Sequence, residues 1–315
     1  MSIQNENGNI TGGFQLLVKS VFNGIRIGFI NKGPLLTDIN EITLQNIHEA
    51  INREIKSNHL SALILQNPDC DNGMFGYFKE HGFNENRLVK IQSATSIIDL
   101  RPSIDEISER MNRTRKQEIR KAGNIFEFVH GSKSDLNKFY DLMEISCRHI
   151  NKRPNISSCE ALCKIWETLN PLGMIHVFSV QRNETTISSL ITISYKQELH
   201  LWRYGWSSEC SNMNPNAFLY WKIIEWAKEK GYAFVDLGGI DRDIALTSIN
   251  NLPFAGDRLN SLFKIKFGGE IKILPESLIF FKNKAYNRFY KRIVESRFLN
   301  NKSLDFINSS YFRKK

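Results

Sequence analysis

Cysteine is scarce in this chain of 315 residues: five are present, an odd number, and they are scattered. That pattern excludes a disulfide framework and points to a reducing, cytoplasmic compartment. Cys159 and Cys163 lie one helical turn apart, with Cys147 and His149 nearby in sequence. The finger-like spacing that would bring four zinc ligands together is missing, so no metal is expected and half-buried helix cysteines are the simpler reading. No apolar run approaches the length that spans a bilayer. The opening residues, MSIQNENGNITGG, carry no apolar signal segment. There is no G-x-S-x-G elbow and no phosphate-binding P-loop, and the seven histidines show no nucleophile–base spacing. These absences remove most metal, serine-hydrolase and NTPase chemistries.

What the chain does have is a 41% hydrophobic content, enough to bury a core for two domains, and a net charge of +9 with pI near 9.2. A basic balance favours anionic partners. Two clusters concentrate it. Arg113, Arg115, Lys116, Arg120 and Lys121 form one; Lys282, Lys284, Arg288, Lys291, Arg292 and Arg297 form the other, interleaved with Tyr286, Phe289 and Tyr290. The alternative is that both are ordinary solvated helix faces.

Periodicity gives an α/β pattern. Phe14–Val18 and Ile25–Ile30 are apolar runs joined through Asn23-Gly24, a hairpin signal. Leu44, Ile47, Ile51 and Ile55 recur at helical spacing and predict a helix over 40–56. Strands are expected at 62–65 and 95–100, with a short helix over 74–80 between them. A helix over 105–121, a strand over 126–129 and helices over 135–150 and 157–169 follow. Then come strands over 175–181, 186–194 and 198–204. Asn214-Pro215 supplies an N-cap and a first-turn proline for a helix reaching Gly231. A strand over 232–237 ends at Gly238-Gly239. Trp221 shares a face with Ile224 and reads as core, whereas Trp206 is placed in a loop. The two halves repeat one order of elements, each arriving at a Phe-Lys pair: Phe78-Lys79 and Phe263-Lys264.

The segments NPNAFLYWKIIEWAKEKGYAFVDLGGID (214–241) and LFKIKFGGE (262–270) resemble the second half of a FemABX-type non-ribosomal peptidyltransferase. The likeness continues in matching order through NKGPL (31–35), LILQNP (63–68), the stretch 82–100 and NRTRKQEIRKA (112–122). It covers roughly Gly12 to Arg292. It implies two tandem GNAT-like domains: residues 1–104 with a returning tail, 275–315, and residues 105–274 carrying the catalytic motif. It also implies a preceding aromatic-rich segment with a substrate-contacting lysine, which has no counterpart ahead of the first hairpin. The long coiled-coil arm of some members has no counterpart either, since no sustained heptad pattern occurs.

The same resemblance implies an activity: transfer of an amino acid from aminoacyl-tRNA to the amine of a peptidoglycan precursor stem peptide, with no cofactor. Lys264 matches the family lysine credited with stabilising the oxyanion, and Phe263 precedes it as in the family. Arg153, in HINKRP, matches an arginine before proline in the acceptor site, and Tyr204 a tyrosine of the same groove. The position four after Arg153, a tyrosine in some members, is Ser157 here. Asp236 and Asp241 bracket the Gly-Gly turn; a turn-stabilising role is the simpler reading for Asp241. An enzyme meeting charged tRNA and a membrane-carried precursor would use both basic clusters, the second in peripheral contact with the inner face of the cytoplasmic membrane.

Two other readings remain open from the residues. One is a CoA-dependent N-acyltransferase of cell-envelope polysaccharide or lipid assembly. The glycine-rich loop whose amides hold the CoA pyrophosphate at a helix N-terminus has no good match. The other is a non-catalytic RNA- or membrane-surface-binding module, which the Phe263-Lys264 pair argues against.

Overall fold

The computed structural model describes residues 1–4, 8–21, 24–68, 73–89, 91–249 and 259–295. It divides into two compact units: Met1–Ser93 together with the chain from Leu274, and Ala94–Ile273.

The first unit opens with β1 (Ser2–Gln4), β2 (Ile10–Gly13), β3 (Leu17–Ser20), β4 (Arg26–Ile30) and β5 (Leu35–Leu36). β3 and β4 form an antiparallel hairpin, its first strand at 17–20 rather than 14–18; Asn23 of the expected Asn23-Gly24 turn lies outside the described residues. Helix α1 (Glu41–Ser57) starts at Asn40, whose side chain accepts from Thr43 N in a capping box. It buries Leu44, Ile47, Ala50, Ile51 and Ile55, the stripe that the helical spacing predicts. β6 (Ala62–Gln66), α2 (Met74–Glu80) and β7 (Asn84–Glu85) follow.

The second unit begins with β8 (Ala94–Asp99), α3 (Ile104–Glu109), α4 (Arg113–Gly123), β9 (Glu127–His130), α5 (Leu136–His149) and α6 (Cys159–Leu169). It continues with β10 (Ile175–Arg182), β11 (Thr185–Tyr195), β12 (Glu198–Trp206), α7 (Pro215–Glu229), β13 (Phe234–Gly239), α8 (Arg242–Ile249), α9 (Leu259–Ile265) and β14 (Glu270–Ile273). Its strands form one sheet in the order β14-β8-β13-β12-β11-β10-β9. The chain then re-enters the first unit with β15 (Ser277–Phe281) and α10 (Lys284–Glu295).

Three local readings change. The single helix expected over 105–121 is two. Ser103 caps α3 through a box with Glu106, and Asn112 restarts the chain as α4 by accepting from Thr114 N. Asn214 precedes α7 as expected, but it sits in the left-handed region (φ 57°) and its side chain makes no cap bond. Trp206 belongs to β12 rather than to a loop, whereas Trp221 is core as expected.

The topology contains an exchange. In the second unit β12 and β13 pair in parallel, and β8 lies antiparallel between β13 and β14. In the first unit β4 and β6 pair in parallel, and β15 lies antiparallel between β6 and β7. Each inserted strand follows, in sequence, the last strand of the other unit: β8 comes after β7 and β15 after β14. β8, placed by the sequence in the first unit, is therefore a strand of the second, and the chain crosses at Ser93 rather than at Ile104.

The repeated Phe-Lys pairs have opposite fates. In α2, Phe78 is fully buried and Lys79 points to solvent, 2.9 Å from Glu85. In α9, Phe263 is only partly buried while Lys264 is 8% exposed.

Candidate active site

The parallel ladder between β12 and β13 runs from Glu198↔Phe234 to His200↔Asp236 and ends there. β12 continues to Trp206 paired only with β11, through a register shift that leaves Trp202 out of the ladder. β13 turns at Gly238, where φ is 82°, and resumes pairing with Thr95 of β8 at Gly239. The sheet is thus unzipped between its two central parallel strands, at the carboxyl end of β13. Such ends are where open α/β sheets place ligands.

Asp236 holds that turn together. It is 3% exposed. Its Oδ1 accepts from the Thr95 hydroxyl and from Gly238 N at 2.7 Å; its Oδ2 faces His200 Nδ1 at 3.2 Å. Burial pushes the carboxyl up, but the bonds from His200, Thr95 and Gly238 outweigh it and hold the group below the usual range. Asp236 is therefore a buried carboxyl held towards its ionised form. The other ring nitrogen of His200 lies 3.4 Å from Glu198, so the imidazole bridges two carboxylates. A ring with both nitrogens so engaged suits a hydrogen-bond relay better than a single metal ion.

Lys264 enters from α9. Its Nζ donates to the Gly239 carbonyl at 2.9 Å, leaving two of its three N–H donors uncommitted among the described residues. Burial lowers its pKa to about 8, and the Asp236 charge opposes that fall. Gly238 makes room for it: a Cβ there would come within 3.3 Å of Nζ, on a backbone conformation that side chains rarely adopt.

Arg115 fixes α9 from behind. It is 4% exposed, with its guanidinium 4.2 Å from the Phe263 ring and 4.8 Å from that of Phe267. It donates to the Phe263 carbonyl at 3.1 Å and pairs with Glu118 at 2.6 Å. The Phe263 carbonyl belongs to the last turn of α9 and has no helical partner of its own. Tyr220 packs edge-on against Phe263 at 5.1 Å. Phe263 thus serves as the ring that locks Lys264's helix onto the core.

The structure brings Phe263 and Lys264 to the unzipped strand end. Tyr204 lies on the stretch of β12 beyond its ladder with β13, where it pairs with Leu190 of β11, and is 43% exposed. Arg153 is exposed in the loop between α5 and α6. α5 itself runs along β12, with Ser146 bonded to both N and O of Trp206. Among the described residues, no hydrogen bond ties Arg153 or Tyr204 to Lys264. A cavity of about 390 Å³ follows α9 on another flank, lined by Arg110, Met111, Asn112, Leu262, Ile265 and Lys266, and leaves Lys264 out.

Sequence reasoning missed Thr95 and His200, and it misplaced Arg115. Arg115 does not belong to a solvent-facing basic cluster. With Ile119 and Ala122 it lines the buried face of α4, at i, i+4 and i+7. That spacing was the available signal.

Comparisons with known proteins agree with this architecture. Residues 108–244, within the second unit, match the acetyltransferase (GNAT) domain family. No curated protein matches the chain. Among solved structures, the crystal structure of FemX is similar, with a TM-score of 0.72 at 15% identity over 91% of this chain and 89% of that one. L-PGS from Bacillus licheniformis gives 0.57 at 12% identity over 99% and 88%. A tandem GNAT protein from the clavulanic acid biosynthesis pathway gives 0.55 at 10% identity over 87% and 79%. Residues 108–244 thus match a GNAT-type acetyltransferase domain, and the chain as a whole has the tandem GNAT-like fold seen in FemX.

Proposed function

We propose that the protein transfers an aminoacyl group from aminoacyl-tRNA to the amine of a peptidoglycan precursor stem peptide. The observation that carries this reading is Lys264: a buried ammonium, held by one carbonyl, with donors to spare at the open end of the sheet. When the acceptor amine attacks the ester carbonyl of the charged tRNA, the carbonyl oxygen becomes an anion. A preorganised donor at that oxygen is worth about 3–4 kcal/mol. The C–O bond to the ribose then breaks and the amide forms; the proton lost by the amine goes to the departing ribose oxygen. Tyr204 and Arg153 are assigned to the acceptor, the guanidinium suiting its phosphates.

A CoA donor is the second reading, favoured by the family model matched. Its pyrophosphate would need free amides at the start of α7. There, Met213 N and Asn214 N already donate to Cys210 O and Ser211 O, and Ala217 N and Phe218 N both donate to Asn214 O. Pro215 has no N–H to give. This supports the tRNA donor, and with it a cytoplasmic site of action. On α4, Arg113, Arg120 and Lys121 are exposed and Lys116 half-buried, a patch assigned to the tRNA phosphates. The test supplies charged tRNA and acetyl-CoA separately with a stem-peptide acceptor and identifies the acylated product by mass. Acetylation in place of aminoacylation would select the second reading.

A further inference from the structure

We infer that α10, with the residues leading into it, carries a docking surface for an anionic lipid bilayer. Among the described residues, the helix is held through Asn287 and Tyr290. Tyr290 is 5% exposed; its hydroxyl donates to Glu85 O at 2.7 Å and accepts from Arg87 N at 2.8 Å. Asn287 Oδ1 accepts from Asn84 Nδ2 at 2.5 Å. These bonds fix the rotation of the helix. They leave Tyr286 and Phe289, three residues apart, 62% and 65% exposed, as an apolar shoulder beside the pinned face. Lys282, Lys284, Arg288, Lys291 and Arg292 are exposed around it.

The charge is concentrated here. From Lys282 onward the sequence holds ten Lys and Arg and two acidic residues, a net +8 out of the +9 of the whole chain. Phe298, Leu299, Leu304, Phe306 and Ile307 are interspersed with those charges. Aromatic and aliphatic residues among lysines and arginines are the composition that lies in a lipid interface: rings enter the headgroup layer and cations meet anionic lipid. No described helix is long and apolar enough to cross a membrane. The contact is therefore with a surface.

The other occupants fit less well. A second copy would set +8 against +8. RNA would use the cations and the rings, but it gives no reason for the aliphatic residues.

The test is co-sedimentation of the full chain with vesicles of phosphatidylcholine, alone or mixed with phosphatidylglycerol. Binding is expected only to the mixed vesicles and should weaken with salt. Changing Lys284 and Arg288 to Gln should weaken it about tenfold or more, at roughly 1 kcal/mol per charge. Tyr286→Ser with Phe289→Ser should weaken it about fivefold while leaving the salt dependence in place. Both pairs are exposed, so circular dichroism should be unchanged. Equal binding to the two vesicle types overturns the inference. So does vesicle binding that survives both double variants. It is also overturned if the variants lose affinity for a structured RNA, or a self-association seen by sedimentation, while vesicle binding persists. None of these readouts requires a donor or acceptor substrate, so the outcome is separate from that of the proposed transfer reaction.

Discussion

Lys264 and Asp236 face each other across a glycine turn. The carboxylate takes the Gly238 amide at 2.7 Å, and the next carbonyl, of Gly239, takes the Lys264 ammonium at 2.9 Å. Burial lowers the lysine pKa to about 8 and Asp236 resists that fall. The lysine therefore stays largely charged at neutral pH although only 8% exposed, a setting in which a fixed cation would act strongly on a developing oxyanion.

Lys264→Ala should lower turnover by about two to three orders of magnitude with the fold intact. Lys264→Arg should also impair it, because the planar guanidinium cannot place its charge where the ammonium sits. Steady-state rates beside circular dichroism spectra check this; full activity of the Ala variant would remove Lys264 from the mechanism.

The pH profile should carry the same signature. Oxyanion stabilisation needs the protonated lysine, so activity should fall as pH rises through about 8. Asp236→Asn removes the charge that opposes burial and should move that limb to lower pH. A descending limb at the same pH in both proteins would contradict the coupling.

Stability should run opposite to activity. Folding lowers the lysine pKa from 10.5 to about 8, so between those values the folded state binds fewer protons than the unfolded one. Stability on this account rises with pH across that window, and below pH 8 the buried charge is a cost. Lys264→Met should therefore stabilise the protein by about 1–3 kcal/mol near neutral pH. The gain should shrink as pH rises from 8 to 10.5. Urea unfolding at several pH values measures it, and a destabilised variant at pH 7 would contradict the account.

Arg115→Ala should cost about 2–4 kcal/mol, because it leaves Glu118 and the Phe263 carbonyl without their partner and opens a gap against two rings. Replacing Arg113, Arg120 and Lys121 by Gln should instead leave stability within about 0.5 kcal/mol. That triple variant should flatten the salt dependence of tRNA binding without altering amino-acid preference. Filter binding across a salt series, with thermal melts, separates the two behaviours.

Some of this geometry was legible in the sequence, for identifiable reasons. LFKIKFGGE keeps Phe263 and Lys264 adjacent, and the DLGG stretch marks the turn opposite. The helix stripe of α1 and the β3–β4 hairpin are local patterns, and local patterns survive folding. The exchange of β8 and β15 is a matter of which strands pair, which no local period encodes. Thr95 and His200 reach Asp236 only through that pairing. The break between α3 and α4 was readable in principle from Asn112, an N-cap residue inside an otherwise helical run. Arg115 was obscured by the four basic residues around it.

The most direct test of the central claim is a parallel donor assay. The protein is incubated with a stem-peptide precursor and either a charged tRNA pool or acetyl-CoA, and the acceptor is weighed by mass spectrometry. The account predicts a mass increase of one or more amino-acid residues with charged tRNA only, abolished by Lys264→Ala. An acetylated acceptor, or no product from any charged tRNA while acetyl-CoA is consumed, would contradict it.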